Sequence, residues 1–221
     1  MSFRTAVFVL LGYVVCGATG AVEPQPDPTP TERNESLEMF KYRVEAAPEW
    51  TQQFYRKSGV FGEDGIFSIP LDGADPNDGS EETMLHFGDS FSGEVDESGK
   101  PLPGHKMVNN CVGYFQGLDA KTAKLRFEYK KDANGRPDTF FVPNHPKARP
   151  GQYFWLGDGF LNKELDDQIY LCAYHVEMTG PNVFDFLLRD VSMVVLPKGS
   201  RPPFSDHRQI VTPLHVDHKV V

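Results

Sequence analysis

From residue 60 onward the chain alternates short apolar runs with clusters of turn residues, which is the pattern left by successive β-strands. Strands are predicted at 65–71 (GIFSIPL), 83–88 (TMLHFG), 107–116 (MVNNCVGYFQ) and 123–130 (AKLRFEYK). The intervening DGADPNDGSEE (72–82) and the ESGKPLPG within 93–104 hold the Asp, Gly and Pro that close turns. After an irregular stretch at 131–151, a second series is predicted at 152–156 (QYFWL), 168–176 (QIYLCAYHV) and 183–196, with a weak last strand at 209–214. Residues 37–57 read instead as one or two short helices around Pro48. Two successive groups of about four short strands are what propeller blades look like in sequence.

The N-terminus follows another pattern. Arg4 precedes the apolar run AVFVLLGYVV (6–15) and the small residues CGATGA (16–21), which is the layout of a secretory signal peptide. The run falls short of the ~20 residues a membrane-spanning helix needs; a buried N-terminal strand is the competing reading. Residues 22–36 are Pro-rich and polar, a flexible leader, which leaves 37–221 as the folded domain. No later run is long enough to span a bilayer, so the expectation is an exported chain, secreted or periplasmic, with no transmembrane segment after cleavage.

Composition narrows the partners. A net charge of −9 with no cluster of Lys and Arg argues against nucleic acid, and 39% apolar residues suffice for a core. Counts of 20 Gly, 18 Pro and 17 Phe suit a turn-rich, all-β protein with aromatic packing. Export also matters for Cys111 and Cys172: a disulfide between them and two separate buried thiols both fit.

Asp-Gly stands twice beside an apolar run, at Asp64–Gly65 and Asp158–Gly159. Aligning these two sites puts each at the innermost strand of its group; a rival alignment matches LHFGDSF (85–91) with FWLGDGF (154–160). The motifs EDGIFSIPLDG, LHFGDSFSGEV, MVNNCVGYF and FWLGDGF, in that order over roughly 58–176, resemble secreted bacterial five-bladed β-propeller domains of uncharacterised function. That group is related to the arabinanase and levansucrase-like glycosidases. The resemblance implies a partial propeller of two to three four-stranded antiparallel blades, because a full one needs roughly 300 residues.

It also implies a chemistry. Glycoside hydrolysis uses two carboxyl groups flanking the scissile bond. By resemblance, Asp64 is the base or nucleophile and Asp158 orients substrate or tunes the acid. The general acid has no identified position; Glu177 is nearest in sequence but lies in the wrong strand. Asp89 shares strand parity with Leu85 and Phe87 and competes for a site role against a plain turn role. Asn109 and Asn110 are candidate sugar donors, and Trp155, with Tyr153, a candidate stacking platform set against core packing. His215, Asp217 and His218, with Asp206 and His207, have metal-ligand chemistry, but a frayed polar terminus explains them better. Neither a metal nor another cofactor is expected.

Three readings therefore stand: a secreted, carbohydrate-active, glycoside hydrolase-like protein; a non-catalytic carbohydrate-binding or cell-surface module, or a truncated inactive fragment; and a compact β-sandwich of unrelated function.

Overall fold

The structure, a computed structural model, describes residues 44–74 and 78–215, the side chain of His215 excepted. The signal peptide and leader read at 1–36, and the tail residues 216–221, lie outside the described residues. Residues 47–221 form one unit, and everything below concerns it. Among the described residues no helix is long and apolar enough to cross a membrane.

Among the described residues the chain is all-β apart from a short helix, α1 (Pro48–Phe54), and a 3-10 turn at Lys163–Leu165. Pro48 opens α1, where a missing N–H costs nothing, and Trp50 and Phe54 fasten it to Phe115 and Phe127 at ring distances of 5.4 and 6.1 Å. The strands that follow are β1 (Ser58–Glu63), β2 (Ile66–Pro70), β3 (Thr83–Phe87), β4 (Ser90–Glu94), β5 (Lys106–Val108), β6 (Cys111–Gln116), β7 (Lys124–Glu128), β8 (Lys130–Lys131), β9 (Pro137–Asp138), β10 (Tyr153–Asn162), β11 (Gln168–Met178), β12 (Phe186–Leu196) and β13 (Arg208–His215).

They form two four-stranded antiparallel sheets, β2-β3-β6-β7 and β10-β11-β12-β13, with a three-stranded sheet β1-β4-β5 and the small β8-β9 pair. Each four-stranded sheet runs in chain order from its first strand, an arrangement consistent with two blades of a partial propeller. Sheet order sides with the alignment of Asp64–Gly65 on Asp158–Gly159, since β2 and β10 are the first strands of their sheets.

One core joins the two sheets. Ile69, Met84, Val112 and Tyr114 of the first meet Phe154, Leu156, Leu171, Ala173 and Val194 of the second, sealed by Phe140, Phe141 and Phe204 from connecting loops. A second cluster, Val60, Leu85, Phe87, Val108 and Cys111, packs the first sheet against β1-β4-β5. β3 is buried on both faces, so all five of its residues are inside. That includes His86, which reaches across to the second sheet and donates from Nε2 to the carbonyl of Gly157 at 2.7 Å.

Two predicted elements change on folding. The strand expected at 107–116 is two strands broken at Asn109–Asn110, because its halves join different sheets, β5 pairing with β4 and β6 with β3 and β7, while the Asn110 side chain binds backbone elsewhere. The strand expected to stop at 156 runs on through Gly157-Asp158-Gly159, where the register with β11 slips in a bulge. Glycine is required at 159, where a Cβ would sit 2.6 Å from the Tyr170 carbonyl oxygen, whereas a Cβ on Gly157 would only displace the exposed Tyr174 ring.

Candidate functional site

Asp64 lies in the two-residue connection between β1 and β2, which Gly65 turns with a φ of +61°. The connection is clamped to the β3–β4 turn: Asp64 N–H donates to the Asp89 carbonyl at 2.9 Å, and Gly88 N–H to the Asp64 carbonyl at 2.8 Å. These paired backbone bonds set two Asp-bearing turns side by side. The Asp64 side chain is exposed.

Asp89 is half-buried and does not bond its own backbone as a turn Asp would. Its Oδ1 accepts from the Trp155 indole N–H at 2.8 Å and from the Asn109 side-chain amide at 3.1 Å. Burial pushes its carboxyl above the usual range against the pull of those two bonds, and the charge of Asp64 pushes the same way. Trp155 is held edge-on between Tyr153 and Phe186, at ring distances of 5.8 and 4.9 Å. Burial, and after it the charge of Asp89, raise the Tyr153 hydroxyl as well, and the ring joins the group through Trp155. Asp64, Asp89, Asn109, Tyr153 and Trp155 thus form one constellation drawn from four segments of the chain. It holds two carboxyl groups, one amide donor and an aromatic platform.

Asp158 has other partners. The side chain is exposed on the β10 bulge, accepts the N–H of Gly159 at 2.8 Å, and its charge is felt at His86 and Cys172. Asn110 is not a ligand-facing residue. It is wholly buried, donates to the carbonyls of Phe141 (2.9 Å) and Phe154 (3.0 Å), and accepts the Phe141 N–H at 2.9 Å. All three bonds pin the 139–142 segment onto β10, so the amide has nothing left for a sugar. Glu177 is held ionised by Arg189, assisted by Gln152, which disqualifies it as a proton donor. Cys111 and Cys172 are free thiols on different sheets. Cys111 donates to the Ser90 hydroxyl at 3.2 Å, whereas Cys172 lies 3.8 Å from the Met193 sulfur.

Two groups escape a reading of the sequence. Glu63, the last residue of β1 and next to Asp64, is pushed up to about 7 by burial, which outweighs the opposing charge of Arg56. Buried His86 is pushed down to about 4, burial again being the main cause. The signal for His86 was available: a histidine inside TMLHF, a strand with no polar face to carry it.

A model of a domain of unknown function, DUF5005, matches residues 48–210, most of the chain and all of the constellation above. The chain belongs to the DUF5005 family. No curated protein matches this DUF5005 chain. A crystal structure of a candidate hydrolase from Bacteroides ovatus shares its fold with a TM-score of 0.53 at 19% identity, covering 75% of this chain and 42% of that one. The DUF5005 chain therefore spans less than half the length of that protein.

Proposed function

We propose that the chain is a secreted, carbohydrate-active hydrolase that cleaves a glycosidic bond with the carboxyl pair Asp64 and Asp89. The observation that carries this reading is the setting of Asp89, which is half-buried, raised by burial and held by Trp155 and Asn109 beside a second carboxyl. Both of its hydrogen bonds fall on Oδ1, so Oδ2 is left to carry a proton. In glycoside cleavage one carboxyl protonates the departing oxygen as the C–O bond breaks, and the other takes a proton from the attacking water or attacks the sugar itself. Asp89 fills the first role, exposed Asp64 the second, and the Tyr153–Trp155 platform receives the sugar face. Support also comes from the signal-like pattern at 1–21, from the motif resemblance, and from the shared fold with a candidate hydrolase.

The test is release of reducing ends from a panel of plant and bacterial polysaccharides. Asp89→Asn and Asp64→Asn should each lower the rate by about 10²-fold or more, the usual worth of an acid or base. Full activity in either variant removes that residue from the mechanism. A second reading, a sugar-binding surface without catalysis, is favoured by one observation: Asp64, the partner of half-buried Asp89, is exposed on the surface. That reading predicts oligosaccharide binding without cleavage, weakened by Asp89→Asn.

A further inference from the structure

The two described cavities, of about 420 and 220 Å³, flank a second cluster that the proposed hydrolysis does not use. His175 on β11 and Asp190 on β12 face each other in register, and both are buried. His145 comes from the loop before β10, its ring perpendicular to that of His175 at 5.2 Å. One ligand atom from each of the three lies within 4.8 Å of the other two.

The hydrogen bonds around His175 show what belongs between them. Its Nε2 lies 2.9 Å from Gln152 Oε1. The Gln152 amide cannot be turned round: Oε1 accepts the Arg149 N–H at 2.7 Å, and Nε2 donates to Glu177 at 2.9 Å. Nε2 of His175 must therefore be the protonated nitrogen, which leaves the Nδ1 lone pair of the neutral ring aimed at Asp190 Oδ2, 3.2 Å away. A lone pair facing a carboxylate oxygen is repulsive unless a positive species lies between them. That species is either a second ring proton or a metal ion. Two ligands on one tetrahedral zinc, with bonds of about 2.0–2.1 Å, stand about 3.3 Å apart, matching the observed spacing. His145 offers a third ligand: its Nε2 is buried and has no hydrogen-bond partner among the described residues. Binding there moves the ring proton to Nδ1 and forfeits only a long bond, 3.3 Å, from the Lys147 N–H. Gln152 plays the outer part that metal-bound histidines usually require, an acceptor for the other ring N–H.

We infer that His145, His175 and Asp190 form a site for a divalent transition ion of the zinc class, with Gln152 as its positioning residue. Two imidazoles and one carboxylate are a donor set that suits zinc, and three protein ligands leave a fourth position for water or substrate.

The test uses the tag-free chain, stripped with chelator and titrated with Zn²⁺ by calorimetry and with Co²⁺ by visible absorption. The expected result is one ion per chain, strong bands of tetrahedral cobalt, and a metal-dependent rise in melting temperature. His145→Ala should abolish all three while leaving the metal-free melting temperature near that of the parent. Gln152→Leu should weaken affinity by about 10- to 100-fold. A double variant, His215→Ala with His218→Ala, should bind as the parent does. Failure of the parent to bind, retained binding in His145→Ala, or binding lost only in the tail variant would each overturn the site; the first would leave a proton between His175 and Asp190.

Discussion

His86 couples the two four-stranded sheets to pH, with a calculable size. Its ring is fully buried, stacked on Phe67 at 5.6 Å, with Nε2–H held by the Gly157 carbonyl and Nδ1 without a partner among the described residues. Burial lowers its pKa from 6.5 to about 4, outweighing the opposing influence of the Gly157 bond and of Asp158. Because the folded value lies below the unfolded one, this contribution to stability is complete above pH 6.5 and is lost as pH falls towards 4. At 1.36 kcal/mol per pKa unit the loss approaches about 3 kcal/mol. Glu63 has the opposite sign. Its folded value of about 7 exceeds 4.5, so its contribution is present below pH 4.5 and disappears as pH rises through 7. The two effects overlap, and a pH profile of the parent alone hides both. The difference between parent and His86→Gln isolates His86, because Gln does not titrate and keeps a donor for Gly157. Urea unfolding followed by tryptophan fluorescence should show the parent losing about 3 kcal/mol relative to His86→Gln across this window. His86→Leu should also remove the pH term, and at neutral pH it should cost about 1–3 kcal/mol for the orphaned Gly157 carbonyl. Parallel pH profiles for parent and His86→Gln would refute the reasoning.

Other outcomes follow from the same structure. Asn110→Leu deletes three bonds to backbone groups of Phe141 and Phe154, two carbonyls and one N–H, and should lower stability by about 3 kcal/mol or more in denaturant titration; a loss under 1 kcal/mol would contradict the bracket role. Ellman titration should find both Cys111 and Cys172 as free thiols. Half-buried Cys172 should react first, and Cys111, pushed up to about 12 by burial, only on unfolding. Equal rates in the folded chain would argue against this placement.

The two strand groups were legible because their apolar runs are long enough to stand out from the turns between them. β1 and β4 were not, since SGVFGE and SFSGE are short, polar and glycine-rich, and they are strands only because they pair with each other over the second core cluster. Asn109–Asn110 read as one continuous strand because nothing local shows that Asn110 binds backbone 31 and 44 residues away. Strand parity placed Asp89 with Leu85 and Phe87, but the turn at Gly88 ends β3 and delivers the carboxyl to Trp155, 66 residues on. The pairing of Asp64 with Asp158 followed the family resemblance, with the repeated letters Asp-Gly beside it. The structure also sets Asp64 beside Asp89, through backbone bonds between two turns that the sequence does not reveal. The histidine cluster is hidden for the same reason: its members come from a loop and two strands, far apart in the sequence.

The most direct measurement uses the two tryptophans of the chain, whose indole N–H signals are separable in a ¹H–¹⁵N spectrum. Trp155 donates to Asp89, whereas Trp50 packs against Phe115 on α1, so Trp50 serves as the internal control. The Trp155 signal should titrate with a midpoint above 3.8, that of Asp89, and should move when an oligosaccharide is added, while the Trp50 signal stays still. A Trp155 signal that neither titrates above that value nor responds to any oligosaccharide would contradict the assignment of this carboxyl site.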